Sequence, residues 1–138
     1  SIVKNKSIIL IDDSLVRGTT CKKIVKMLYE SGAKEVHVRI ACPEIKYPDF
    51  YGVDMPTKEE LLAHKKNIRE MCNHIGAKSL EFLSLTGLYT ALKGEKRNSN
   101  YPQFSDHYFT GDYPIKPHDN LANIRSKQLS LLSGKSNN

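Results

Sequence analysis

The stretch that most constrains the fold of this chain is residues 8–20, IILIDDSLVRGTT. Its first four residues form an aliphatic run of one-strand length that is apolar on both faces, which is typical of a central strand in a parallel sheet. Asp12 and Asp13 follow at once, and a small polar loop containing Gly18 then leads into a helical pattern. Open α/β sheets bind ligands at the carboxyl ends of their strands, and a helix N-terminus attracts phosphate. The stretch therefore predicts a phosphate site beside carboxylates suited to Mg²⁺ or sugar hydroxyls.

The remaining pattern predicts further α/β elements. Apolar residues at three- and four-residue spacing predict a helix over residues 21–31, with Thr19 or Thr20 as its N-cap and Gly32 ending it. Alternating polar and apolar residues at 35–41 predict a half-buried strand. Further along the chain we expect a helix from the Thr57–Glu60 capping box to Ile75, a strand over 80–85, and a short helix capped by Thr86.

Composition restricts the class of partner. The 138 residues are enough for one domain. The net charge of +6 favours anionic ligands, but the basic residues are scattered and not interleaved with aromatic residues, so we expect no nucleic-acid partner. Three isolated cysteines indicate a reducing, cytoplasmic setting. We expect no membrane partner, because the sequence contains neither a long apolar stretch nor a secretory leader.

The acid pair followed by Gly-Thr-Thr resembles the phosphoribosyl diphosphate (PRPP) motif of type I phosphoribosyltransferases. The segment IDDSLVRGTT is most similar to the corresponding motif of the amidophosphoribosyltransferases. Three further segments extend the resemblance: residues 41–48 (ACPEIKYP), 50–61 (FYGVDMPTKEEL) and 109–114 (FTGDYP). It implies an α/β fold that is a partial type I phosphoribosyltransferase, a Rossmann-like parallel sheet with flanking helices, truncated at the N-terminal side. Residues 1–115 would be the C-terminal part of that domain, and 116–138 a polar, poorly ordered tail.

The resemblance also implies a site. Asp12 and Asp13 would be catalytic, facing the ribose and Mg²⁺, and two residues of the second motif, Tyr51 and Asp54, would lie on the acceptor side. The PRPP-binding residues would be Ser14, Arg17, Gly18, Thr19 and Thr20. Other interpretations stay open: a solvated Asp pair, threonines that only cap the helix, a surface role for Arg17, packing for Tyr51 and a turn role for Asp54.

The family reaction that the resemblance implies converts PRPP, glutamine and water to 5-phosphoribosylamine, glutamate and pyrophosphate. The glutaminase domain and the earlier catalytic loops have no counterpart in these residues. We therefore expect the chain to need a separate N-terminal glutaminase and transferase polypeptide, or to self-associate through an unpaired sheet edge. The alternative is a non-catalytic module that binds PRPP or a nucleotide phosphate, or an inactive remnant.

Some amidophosphoribosyltransferases hold a [4Fe–4S] cluster on cysteines in these motifs. The corresponding positions here are Asp49, Ser105 and Tyr108, which cannot supply thiolates. We expect Mg²⁺ as the cofactor and no iron–sulfur cluster.

Overall fold

A computed structural model of the chain describes residues 2–52, 56–94 and 96–115. The predicted Asp54 and the predicted tail at 116–138 lie outside these ranges. The elements follow the predicted order of strands and helices. They are β1 (Ser7–Asp12), α1 (Thr19–Glu30), β2 (Glu35–Ile40), a 3₁₀ turn (Lys58–Glu60), α2 (Leu62–Lys65), α3 (Ile68–Ile75), β3 (Ser79–Phe82), α4 (Leu85–Lys93) and α5 (His107–Thr110).

The three strands form one parallel sheet in the order β1-β2-β3. Ile8 pairs with Val36, and Val38 pairs in turn with Leu80. One face of the sheet packs against α1 and α3, where Val36 and Val38 are fully buried. The predicted α/β class, with a parallel sheet and flanking helices, is confirmed. All three strands end at the same edge, where Asp12 is the last residue of β1.

The prediction that the aliphatic run is a central strand is wrong within the described residues. The central strand is β2, and β1 lies at an edge. Ile9 is 66% exposed and Ile11 is 73% exposed, because no described helix covers the second face of the sheet. An unbroken apolar run cannot show this, since the exposed positions carry the same residue type as the covered ones.

Polar side chains of β2 and β3 pair with one another on this open face. Ser79 Oγ lies 2.8 Å from His37 Nδ1 and accepts a hydrogen bond from Arg39 Nη1 at 3.0 Å. Arg39 also approaches Glu81, with 3.7 Å between nitrogen and oxygen. The apolar part of the open face is therefore concentrated on β1.

The start of α1 differs from the prediction. Its N-cap is Gly18, not Thr19 or Thr20, and Gly18 has a φ of 75°. A glycine can adopt this left-handed conformation at little cost, whereas a threonine would be strained there. Gly32, with a φ of 92°, follows the last turn as predicted.

The predicted continuous helix from Thr57 to Ile75 is also wrong. The Thr57–Glu60 capping box is present, but it caps a single 3₁₀ turn. Lys66 is extended and separates α2 from α3. Asn67 begins a second capping box with Glu70, and Gly76 ends α3 as predicted.

The last strand and the helix after it are shifted from their predicted bounds. β3 ends at Phe82, and the cap of α4 is Ser84, whose Oγ accepts a hydrogen bond from the Gly87 N–H at 3.0 Å; Thr86 lies inside the helix. No helix in the described ranges is long and apolar enough to cross a membrane.

Candidate functional site

The carboxylates of the acid pair are oriented by local hydrogen bonds at the end of β1. Asp12 Oδ1 accepts a hydrogen bond from the Asp13 N–H at 3.0 Å, and Asp13 Oδ1 accepts one from the Ser14 hydroxyl at 3.1 Å. Each carboxylate is thus fixed through one oxygen and can offer the other to a ligand. Such an arrangement suits ribose hydroxyls or a hard cation.

The loop after this pair is anchored in the core. Leu15 is buried in the main apolar cluster. The Val16 carbonyl accepts a hydrogen bond from the Leu62 N–H at 2.9 Å. Gly18 packs so closely on this segment that a Cβ there would lie 2.8 Å from Leu62 Cδ2. The loop therefore requires glycine at position 18 for space as well as for its positive φ.

In the part of the chain that the structure describes, no side chain caps the N-terminus of α1. The N–H of Lys22 makes a hydrogen bond to the Gly18 carbonyl at 2.9 Å, as the helix begins. The N–H groups of Thr19, Thr20 and Cys21 come before this bond and have no acceptor within the helix. Three such donors, with the positive end of the helix dipole, are suited to an anion.

One open cavity of about 300 Å³ joins these groups, and residues 12–21 line it. It includes Asp12 and Asp13 together with the loop and the first turn of α1. Every PRPP-binding residue predicted from the first motif therefore lies around one space: Ser14, Arg17, Gly18, Thr19 and Thr20.

The Arg17 side chain has a partner that the sequence alone does not indicate. Its Nε and Nη2 both donate to Glu60 Oε1, at 3.1 and 3.0 Å. Both side chains are about half exposed. Glu60 is recognisable in the sequence as a capping residue, but nothing there connects it to a loop 43 residues earlier.

Two thiols lie close to the acid pair. Burial, and next the charge of Asp12, raises the pKa of Cys21 to about 11. Burial, and next the charge of Asp13, raises the pKa of Cys42 to about 11. Both thiols are therefore protonated at neutral pH and are suited to packing and not to nucleophilic attack.

The described residues contain no group of three His, Cys, Asp or Glu side chains that could hold a metal ion. Asp12 and Asp13 form a pair of adjacent carboxylates in the cavity. Mg²⁺ commonly binds through one or two carboxylates and completes its octahedral shell with substrate phosphates and water. The donor set at this edge therefore fits a Mg²⁺ ion that arrives with a phosphorylated ligand.

Tyr51, predicted on the acceptor side, packs against the C-terminal part of the described chain. Its hydroxyl donates to the Ile115 carbonyl at 2.6 Å and accepts from the Ile115 N–H at 3.1 Å. Its ring meets His107 edge-on, with 5.3 Å between centroids. Tyr51 does not line the cavity around Asp12.

Asp49, one of the three positions compared with cluster ligands, is buried against His107. The Asp49 carboxylate lies 2.8 Å from His107 Nε2. The ring centroids of Tyr108 and His107 lie 4.1 Å apart, and the buried Nδ1 of His107 has no hydrogen-bond partner among the described residues. The pair joins the 43–52 loop to α5. Sequence reasoning missed it, because the two residues are far apart and form no motif.

No family model matches the chain. Similar proteins of known function exist, however. The amidophosphoribosyltransferase of Rhizobium etli is 50% identical over 134 residues, and that of Staphylococcus epidermidis is 49% identical over 129. The chain is homologous to part of the amidophosphoribosyltransferases. These matches cover 96% and 94% of the chain but only 27% and 26% of the two relatives, so the chain spans about a quarter of their length.

Solved structures agree with this relationship. A glutamine PRPP amidotransferase from B. subtilis, complexed with ADP and GMP, has a TM-score of 0.77 and 43% identity to the chain. A structure described as the allosteric regulatory enzyme of purine biosynthesis has a TM-score of 0.73 and 44% identity. Each alignment covers 86% of this chain, and this chain covers 26% and 25% of the two solved chains. The resemblance to amidophosphoribosyltransferases and their phosphoribosyltransferase-type fold is confirmed.

Proposed function

We propose that the chain provides the PRPP-binding segment of an amidophosphoribosyltransferase. One observation carries the proposal: the uncapped N-terminus of α1 and the Asp12–Asp13 pair line a single cavity at the carboxyl end of β1. The 5-phosphate of PRPP would bind at the N-terminus of α1, and the ribose of PRPP would face the carboxylates. Identity of about half with the relatives over nearly the whole chain supports this assignment.

The phosphate half of the site uses backbone donors. The N–H groups of residues 19–21 point out of the first turn of α1, and the hydroxyls of Thr19 and Thr20 add side-chain donors. Hydrogen bonds to a charged oxygen contribute about 1.5–3 kcal/mol each. Because the Leu62 N–H binds the Val16 carbonyl and the Leu62 side chain packs beside Gly18, the loop that leads to these donors is fixed before the ligand arrives.

The acidic half of the site faces the reacting carbon. As pyrophosphate leaves, positive charge develops at the ribose C1, and a fixed carboxylate stabilises that charge. Asp12 is the last residue of β1 and Asp13 is the first residue of the loop after it, so we assign different roles to the two carboxylates. Their different neighbours agree with this, since Asp12 acts on the Cys21 thiol and Asp13 on the Cys42 thiol.

Asp12 and Asp13 would hold a Mg²⁺ ion that arrives with PRPP, and they would also accept hydrogen bonds from the ribose hydroxyls. When bound, the ion would supply positive charge that offsets the charge of the departing pyrophosphate. Tyr51 and Asp54 stay predictions for the acceptor side.

The whole family reaction also requires groups that the described site does not supply. Binding of the pyrophosphate and release of ammonia from glutamine would come from another polypeptide segment, in line with the chain spanning about a quarter of its relatives. A non-catalytic module that binds PRPP or a nucleotide phosphate is the second candidate, and the nearly self-contained phosphate half of the cavity supports it.

All three cysteines are free thiols, which supports a reducing, cytoplasmic setting.

Calorimetry with PRPP and Mg²⁺ tests the binding site. We expect Asp13→Asn and Thr20→Val each to weaken binding about tenfold, because each removes an interaction with a charged or hydroxyl group of the ligand. Thr86→Val is a matched control, since Thr86 is also the second residue of a helix and is exposed. Glu30→Gln, at the far end of α1, controls for the change in charge. Unchanged affinity in both site variants would remove the assignment.

An ammonia-dependent assay tests whether the 138-residue chain is sufficient for phosphoribosyl transfer. High ammonia replaces the glutaminase, so product formation depends on the phosphoribosyl transfer alone. We expect no 5-phosphoribosylamine above the blank from the 138-residue chain with PRPP and Mg²⁺, because positioning of both reactants is needed to lower the barrier. Turnover that disappears in Asp12→Asn would show that these residues are a sufficient enzyme.

A further inference from the structure

Glu60 makes two sets of hydrogen bonds, one with each carboxylate oxygen. Oε2 accepts from the Thr57 N–H at 3.0 Å and from the Thr57 hydroxyl at 3.2 Å. Oε1 accepts from Arg17 Nε and Nη2. Capping of the 3₁₀ turn needs only the first set, so the bond to Arg17 has a separate consequence.

The loop between β1 and α1, residues 13–18, is called the phosphate loop below. The segment that contains Glu60 contacts three consecutive residues of this loop. Leu62 donates its N–H to the Val16 carbonyl at 2.9 Å. Glu60 holds Arg17, and the Leu62 side chain covers Gly18. These three loop residues come immediately before the free N–H groups of α1. Whatever fixes them also fixes the direction in which those donors point.

An acidic residue so near a phosphate site is unfavourable by itself, because it repels the anion. The hydrogen bond from the Thr57 backbone, and next that from Arg17, lowers the pKa of Glu60, so its carboxylate is charged at neutral pH. Pairing with Arg17 neutralises that charge locally. The pair therefore orders the loop without adding net negative charge to the site.

We propose that Glu60 is a positioning residue for the phosphate loop, which it orders through Arg17 so that the N-terminus of α1 is preorganised for a phosphate monoester. This inference rests on the proposed function of the same cavity. It does not place Glu60 in contact with the ligand. Preorganisation strengthens binding because less freedom is lost when the ligand arrives.

The test compares Glu60→Gln with Glu70→Gln. Glutamine can still cap, through its amide oxygen, but it lacks the charge that holds Arg17. Glu70 occupies the same place in the other capping box, where its Oε2 accepts from the Asn67 N–H at 2.9 Å. Ribose 5-phosphate is the calorimetric probe, and amide hydrogen exchange of residues 17–21 and 62 is measured without ligand.

We expect Glu60→Gln to weaken binding of ribose 5-phosphate about two- to fivefold, the range of a half-exposed ion pair. Amide exchange in the loop should become faster, and Glu70→Gln should change neither quantity. In an Arg17→Ala background, Glu60→Gln should add no further loss, because the two residues act as one unit.

Three results would overturn the inference: tighter binding in Glu60→Gln, which would mean that Glu60 competes with the ligand for Arg17; equal effects of both glutamine variants; or unchanged exchange in the loop. If the unmodified chain does not bind ribose 5-phosphate, the proposed function fails instead. The exchange comparison still decides the role of Glu60 in that case.

Discussion

Asp106 is a buried carboxylate held by side chains from three parts of the described chain. Arg97 donates to both of its oxygens, at 2.5 and 3.1 Å. The Tyr89 hydroxyl donates at 2.8 Å and the Thr110 hydroxyl at 3.2 Å. Burial alone would raise the pKa of Asp106, but these donors outweigh it and the pKa lies below its usual value of 3.8. Asp106 therefore binds α4, the 96–106 loop and α5 together.

Asp106 should make the free energy of unfolding depend on pH in the acid range. A carboxylate with a lowered pKa stabilises the fold fully above its unfolded value of 3.8, and this contribution is lost as the pH falls through the folded pKa. We expect Asp106→Asn to lower the free energy of unfolding by about 3 kcal/mol at pH 7, because it leaves Arg97 without its buried partner. The free energy of unfolding of the variant should also change less with pH below about 4.

Urea denaturation from about pH 2 to about pH 7, a range that spans the titration of carboxylates, measures both the free energy of unfolding and its pH dependence. Asp112→Asn is the matched control, because Asp112 also accepts from Arg97, at 2.6 Å, but is 56% exposed. Its cost should be below about 1 kcal/mol. Equal costs for the two variants would contradict the account of Asp106 as the central acceptor.

At the scale of elements, the site was more predictable than the packing that supports it. Residues 12–21 form one contiguous stretch, so strand end, carboxylates, glycine and helix start could be predicted from their order. Glu60 and Leu62 reach the same loop from more than forty residues away, and their contacts depend on tertiary packing. The exposure of Ile9 was unpredictable for a related reason, since it depends on which sheet face is covered.

The break between α2 and α3 could have been predicted from its capping residues. Leu61, Ile68, Cys72 and Ile75 fit a single apolar stripe, and this periodicity concealed the interruption. Asn67 and Glu70, however, have capping-box spacing in the sequence. In the structure the Glu70 N–H donates to Asn67 Oδ1 at 2.9 Å, which satisfies a donor at the start of α3.

Removal of that cap should lower the stability of the protein. We expect Asn67→Ala to lower the free energy of unfolding by about 1 kcal/mol, the usual cost of a lost N-cap. Asn73→Ala, at an exposed position inside the same helix, should be neutral or slightly stabilising, because alanine favours helix. Thermal unfolding followed by circular dichroism compares the two. A larger loss in Asn73→Ala would argue against Asn67 as the cap.

At the scale of the whole molecule, β1 combines an edge position with exposed apolar side chains. Ile9 and Ile11 project from the face that no described helix covers, and the outer edge of β1 has no strand beside it within the described residues. Exposed apolar edges promote association with other chains. We therefore predict that the 138-residue chain self-associates through β1.

Sedimentation velocity of the double variant Ile9→Lys and Ile11→Lys tests this prediction. Two lysines on the edge should shift the chain toward monomer, because a charged edge resists strand pairing. A double variant with lysine at Leu92 and Ile115, two other exposed apolar positions, controls for added charge. An unmodified chain that is monomeric at all concentrations would refute self-association through β1.

The central claim is that the N-terminus of α1 binds the phosphate of a phosphoribosyl ligand. The most direct measurement is a two-dimensional amide NMR titration of the 138-residue chain with ribose 5-phosphate. We predict that the largest shifts occur at the amides of Gly18, Thr19, Thr20 and Cys21, and that the start of α4, which Ser84 caps, does not respond. Shifts of similar size at both helix N-termini, or none at residues 18–21 at saturating ligand, would contradict the account.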